Sequence, residues 1–321
     1  MRDEKLAQGV TDGGIAWYGV RSVMALTLNR VLFQPEAKEY IFAFARQRVK
    51  RRAIDHLAPP PGMFHTTEVL MDLKLHGKTA LVTGASAGIG AAIAKALAAE
   101  GVRVAISARR LDKLGETAAA IKAAGGPDPV VLESDLYAAD AAASLATRAV
   151  NALGGIDILV NNAGGSRPFS QLHVGEAQWV EAMTLNFDRP RQLADALIDQ
   201  MIARNWGRII NITGKSEPDH VNGAFCAKAA VHSWAKGLSR MVGKHGITVN
   251  CIPPGRIHSE QILRNYTPEY RKWQSENEIP VGRYGEPEEL AVLAVWLASP
   301  LAGYISGTVI PVDGGLRRYQ F

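Results

Sequence analysis

Cysteine is nearly missing from this chain: Cys226 and Cys251 are the two among 321 residues. So thin a supply excludes a disulfide-stapled scaffold. Two thiols far apart inside predicted elements read as small buried side chains in a reducing compartment. Long apolar runs are missing as well. No stretch reaches the roughly 18 residues that a membrane-crossing helix needs, and no secretory leader is visible. Nor is there a large excess of one charge. Thirty-six Lys and Arg stand against 31 Asp and Glu, a net charge of +5, too mild to argue for nucleic acid as a partner. No residue is assigned to a metal. What remains is the composition of an ordinary globular protein, expected in the cytoplasm.

The most informative stretch is Leu75 to Gly90, LHGKTALVTGASAGIG. Ala80, Leu81 and Val82 form a short apolar run that reads as a buried strand. Gly84, Gly88 and Gly90 follow, and then an alanine-rich helical segment that ends at Gly101. A strand, a glycine turn and a helix in that order form the first half of a βαβ unit. Such a turn delivers a diphosphate to free N–H groups at the positive end of the helix. Gly84 serves the tight turn, Gly88 close backbone approach and Gly90 close helix–strand packing.

The pattern then repeats. Val102–Ile106, Val130–Leu136, Ile156–Gly165, Gly207–Gly214, Gly246–Gly255 and Gly307–Gly315 read as six further strands, with helical segments between most of them. Strands alternating with helices specify a mostly parallel sheet covered on both faces. The expectation is an α/β Rossmann-type doubly wound fold with a seven-stranded sheet in the order 3-2-1-4-5-6-7.

TGASAGIG at 83–90, NNAG at 161–164, Lys228 and PPG at 253–255 together resemble the short-chain dehydrogenase/reductase family. The resemblance runs from about Met71 to the C-terminus. It implies a nicotinamide dinucleotide bound along the strand ends, and a small organic substrate that is reduced at a carbonyl or oxidised at an alcohol. It also implies a homo-dimer or homo-tetramer. By the same resemblance Ser86 and Ile89 belong to the glycine turn's cofactor contacts. Asp135 and Leu136 flank the adenine, Asn162, Ala163 and Gly164 flank the cofactor, and Pro254, Gly255 and Ile257 line the nicotinamide. Asp135 could equally cap the helix that follows it. Arg256 to Pro280, with Tyr266, Tyr270 and Trp273, corresponds to the substrate lid.

Another absence selects among cofactors. An acid about 20 residues past the glycines binds the ribose 2′-hydroxyl and suits NAD. This chain has Ala108 at that place and Arg109 beside it. A guanidinium grips a 2′-phosphate that a carboxylate would repel, so the expected cofactor is NADP. Read more plainly, Arg109 and Arg110 are solvated charges at a helix start.

The family's catalytic set is Asn, Ser, Tyr and Lys. Asn186 matches the Asn, which holds a water in the proton relay, and Lys228 matches the Lys, which binds the nicotinamide ribose. Four residues before Lys228, where the resemblance places Tyr, stands Ala224, and the Ser position falls on Gly214. Thr213, Lys215, Ser216 and His220 are candidate replacements in the same loop, and Tyr266 and Tyr270 in the lid. Of these His220 is the imidazole, the side-chain type most used as a proton carrier. Water linked to Lys228 is another route. A third reading is an NADP-binding scaffold or sensor with little turnover.

Residues 1–70 fall outside the strand pattern and read as an N-terminal extension to a catalytic domain over 71–321. Pro35–Leu57 looks helical, with Pro35 in the first turn, acids early and Arg51 and Arg52 late. Its Arg- and Lys-rich face could meet a membrane surface or a partner. It reads equally as a helix packed on the domain or a weakly ordered tail. A natural start at Met71 is a further reading.

Overall fold

The computed structural model describes residues 71–166, 169, 173–214 and 220–318. The expected 35–57 helix, the rest of the extension, Lys215 and Ser216 lie outside the described residues.

Among the described residues, six strands form one parallel sheet. They are β1 (Thr79–Thr83), β2 (Arg103–Ala108), β3 (Val130–Glu133), β4 (Ile158–Asn161), β5 (Gly207–Ile212) and β6 (Ile247–Ile252). Their order is β3-β2-β1-β4-β5-β6, parallel throughout. The helices are α1 (Gly88–Ala99), α2 (Leu111–Ala123), α3 (Ala141–Leu153), α4 (Glu176–Met183), α5 (Arg189–Ala203), α6 (Gly223–Val242), α7 (Glu260–Asn265), α8 (Pro268–Asn277) and α9 (Pro287–Ala298).

Strand alternation sends side chains to opposite faces, and the core divides accordingly. Ala80 and Val82 of β1 join Ile93 and Leu97 of α1, Leu114 and Ile121 of α2, and Leu290 and Leu297 of α9. Leu81, between them, joins Leu145 of α3, Leu193 and Leu197 of α5, and Val231 and Ala235 of α6 on the other face. The strands are therefore buried on both sides, which is why they read as continuous apolar runs.

The structure differs from the sequence reading at the edge beyond β6. Residues 307–312 run parallel to it, but only isolated bridges form, Cys251 with Val309 and Pro254 with Val312. Cys251 N–H donates to Thr308 and Ile310 N–H to the Cys251 carbonyl, 2.9 Å each. The next rung fails because Pro253 has no N–H to donate, and on the other side the Val249 N–H goes to Ser306 Oγ at 3.2 Å. Six strands and a broken seventh ladder replace the seven expected. The third strand also stops at Glu133, short of Leu136. Cys251 is buried, whereas Cys226 is exposed on α6, which corrects the expectation that both thiols are core side chains.

Candidate functional site

The sheet order reverses direction between β1 and β4, the place where doubly wound sheets leave a crevice at the carboxyl ends of their strands. A cleft of about 740 Å³ lies there.

Its floor is the glycine turn. Gly84 has φ +66°, a left-handed conformation that side chains rarely adopt. A Cβ on Gly90 would overlap the Gly84 carbonyl oxygen and the Asn162 amide, so only glycine lets α1 start this close to β1. Thr83 Oγ1 accepts from the N–H groups of Asn162 and Ala163, both at 3.0 Å. Asn162 Nδ2 donates to the carbonyls of Thr83 (3.0 Å) and Gly84 (3.1 Å). The 161–164 turn is thereby sewn to the glycine turn by side chains from both. The N-terminus of α1 has neither a capping side chain nor an acid in its first turn. Its first N–H groups and its dipole are open to an anion in the cleft, beside Gly88, Ile89 and Gly90 on the lining.

At the end of β2 the wall is made by Ala108, Arg109 and Arg110. Both guanidinium groups are exposed. Arg110 Nη2 reaches Ser86 Oγ at 3.4 Å and Glu260 Oε2 at 2.8 Å. Among the described residues Arg109 has no hydrogen bond or ion pair. Asp135 and Leu136 line the neighbouring wall. Asp135 Oδ1 accepts from Tyr137 N–H at 3.1 Å, and α3 begins at Ala141 after Asp140, so Asp135 closes a turn and does not cap that helix. At the opposite end Pro254, Gly255 and Ile257 line the cleft, and Gly255 N–H donates to Val312 at 2.9 Å.

Lys228 and Thr213 meet near the ends of β5 and α6. Lys228 Nζ donates to the Thr213 carbonyl at 3.0 Å. Burial pushes its ammonium down to about 8. His232, one turn further along α6 on the same face, pairs its Nε2 with Thr213 Oγ1 at 2.7 Å. Burial, with a smaller push from the Arg317 guanidinium, lowers His232 to about 4. Thr213 N–H donates to Ile252 at 3.0 Å, so all three polar groups of this residue are held. His232 was not singled out from the sequence; its spacing of four from Lys228 was the available signal. Ala224, one turn before Lys228, is 3% exposed, and no hydroxyl stands there.

His220 lines the cleft at its exposed rim. Asn186 does not line it. This side chain is buried on a π-helical turn, Thr184–Asp188. Its Nδ2 donates to the carbonyls of Gly165 (3.0 Å) and Ala182 (2.9 Å), and its Oδ1 accepts from Gly165 N–H at 3.2 Å. It therefore sets the shape of the 163–165 strap next to Lys228. A π-turn is rare and is often kept at functional sites. In the 256–280 segment, Tyr266 lines the cleft and its hydroxyl accepts from Arg256 at 3.2 Å. Tyr270 stacks on Trp273 outside it, ring centroids 5.8 Å apart. Among the described residues no His, Cys, Asp or Glu cluster could hold a metal ion, and no helix is long and apolar enough to cross a membrane.

Comparison with known proteins agrees with this geometry. Residues 84–317 match the family model described as enoyl-(acyl carrier protein) reductase. A 3-oxoacyl-(acyl-carrier-protein) reductase of Aquifex aeolicus is 33% identical over 250 residues, 77% of this chain and 100% of that protein. The crystal structure of L-sorbose reductase from Gluconobacter frateurii, complexed with NADPH and L-sorbose, superposes with a TM-score of 0.73. It is 30% identical, over 78% of this chain and 100% of the other. A short-chain type dehydrogenase/reductase from Mycobacterium marinum gives 0.71 at 32% identity, over 77% and 98%.

Proposed function

Because the chain belongs to the short-chain dehydrogenase/reductase family, we propose that it is an NADP(H)-dependent oxidoreductase that reduces a carbonyl, or oxidises an alcohol, on a small organic substrate. The observation that carries the reading is that one cleft gathers the open glycine turn, the arginine pair and Lys228. The NADPH held by the sorbose reductase is in keeping with it.

The residues present fit the cofactor. The cradle under Gly90 has no room for a side chain, and the uncapped α1 N-terminus suits a diphosphate. Arg109, Arg110 and Ser86 offer two guanidinium groups and a hydroxyl to a 2′-phosphate. The carboxylate that would prefer a free 2′-hydroxyl is replaced by Ala108. Asp135 and Leu136 would bound the adenine, and Pro254, Gly255 and Ile257 the nicotinamide. The cofactor, when bound, supplies or accepts the hydride.

The protein's task is to hold the substrate oxygen and move one proton at it. Lys228 is suited to both cofactor and proton. Its ammonium would contact the nicotinamide ribose, and with a value of about 8 it can give up and regain a proton near neutral pH. Thr213 is the hydroxyl at the former Ser position's edge, held in place by His232. Asn186 keeps the adjoining strap in shape. His220 is the other candidate proton carrier, at the rim.

The test is a carbonyl panel followed by NADPH absorbance. Lys228→Ala is expected to lower both cofactor affinity and turnover, the latter by about 10²–10⁴-fold, the usual contribution of a positioned acid. His220→Ala tests the rim histidine: a comparable loss with binding intact assigns the proton to His220, and full activity removes it, leaving Lys228 with a linked water or Tyr266 as the source. Tight NADPH binding without turnover on any carbonyl would favour a cofactor-binding scaffold.

A further inference from the structure

The segment after β6 crosses the cleft and is tied down on both sides. On one side His258 N–H donates to Gly285 and Gly285 N–H to Arg256, both at 2.9 Å. On the other, the Ser259 side chain sits over the glycine turn, 3.8 Å from where a Cβ on Gly88 would be. From there Glu260 reaches across to the adenine side, its Oε2 2.8 Å from Arg110 Nη2. Arg110 is also the arginine that contacts Ser86. A carboxylate from the lid thus occupies the guanidinium that, on the cofactor reading above, serves the 2′-phosphate.

We propose that Glu260 is a built-in competitor of the cofactor's 2′-phosphate for Arg110, and so a residue that sets the balance between NADP(H) and NAD(H). This inference rests on the NADP(H) reading. The two anions cannot share one guanidinium without repulsion. A dianionic phosphate with three acceptor oxygens outbids an exposed carboxylate, whereas an exposed ion pair is worth at most about 1 kcal/mol. NADP(H) therefore displaces Glu260 and frees the tie between α7 and Arg110. NAD(H), with a hydroxyl at that place, leaves the ion pair standing. Glu260 thereby weakens NADP(H) binding.

The experiment is calorimetric titration of NADP⁺ and NAD⁺ into the wild type, Glu260→Gln, Arg110→Gln and the double variant. Both side chains are exposed, so folding is not at stake. Glu260→Gln is expected to tighten NADP⁺ about 3–5-fold, the scale of one surface ion pair, and to leave NAD⁺ within about 1.5-fold. In the Arg110→Gln background the same substitution gains less than about 2-fold. If the wild type prefers NADP⁺ but Glu260→Gln leaves it unchanged or weaker, or tightens both nucleotides alike, the competition is wrong and the cofactor reading survives. If the wild type does not prefer NADP⁺, the cofactor reading fails and takes this inference with it.

Discussion

Burial holds the Lys228 ammonium at about 8 against an ordinary lysine value of 10.5, so the folded chain carries this charge at a cost. The direction with pH follows from proton counting. Below about 8 both folded and unfolded chains hold the proton, and the cost stands in full. Between about 8 and 10.5 the folded chain has released it while the unfolded chain has not. Stability from this site therefore rises with pH through that window. Lys228→Met, measured without nucleotide, is expected to raise stability at pH 7 by about 1–2 kcal/mol once the lost bond to the Thr213 carbonyl is counted. The gain should shrink towards pH 10. Chemical unfolding at both pH values tests this; a less stable variant at pH 7 would mean that the neighbours fully compensate the buried charge. Lys228 itself was readable from its place in the motif, as were Gly84, Asn162 and Gly164. His232 and Glu260 were not. Neither belongs to a motif, and each gains its part only when the fold brings it to Thr213 or Arg110.

Among the elements, the glycines of two helices behave in opposite ways. Gly90, in the first turn of α1, lies against the Gly84 carbonyl, and any Cβ forces backbone apart. Gly115 lies inside α2, exposed, with nothing within 4 Å of an added Cβ. Gly115→Ala is expected to stabilise by about 0.5–1 kcal/mol, the helix propensity difference. Gly90→Ala is expected to destabilise by about 1–3 kcal/mol and to weaken nucleotide binding. Urea unfolding of the two variants gives both signs, and a neutral Gly90→Ala would show that the turn has slack. The strands themselves were legible because each is a short apolar run buried on two faces. The seventh was overread, since a run such as Thr308–Val312 says nothing of the proline opposite. The π-turn around Asn186 was not legible at all: an extra residue in a helical turn leaves no mark on hydrophobic spacing.

At the level of the molecule, the order β3-β2-β1-β4-β5-β6 does the assembling. It opens the crevice between β1 and β4 and brings loops far apart in sequence to one wall: the glycine turn, the arginines after β2, the 161–164 turn, Thr213 and the strap after β6. The sequence announced this architecture through its alternation of strands and helices, and through motifs that fall at strand ends. It did not announce how residues 256–280 lie, because α7 and α8 are short and mostly polar and owe their position to contacts such as Arg256 with Tyr266. This wall suits a nucleotide bearing a 2′-phosphate. Titrating NADPH and NADH separately into the full chain and into Arg109→Ala puts that to the test. The wild type is expected to bind NADPH more tightly. Arg109→Ala is expected to weaken NADPH by about 1.5–3 kcal/mol, the scale of a charged hydrogen bond, and scarcely to change NADH. Equal affinity of the wild type for the two nucleotides, or a preference for NADH, would contradict the NADP(H) reading.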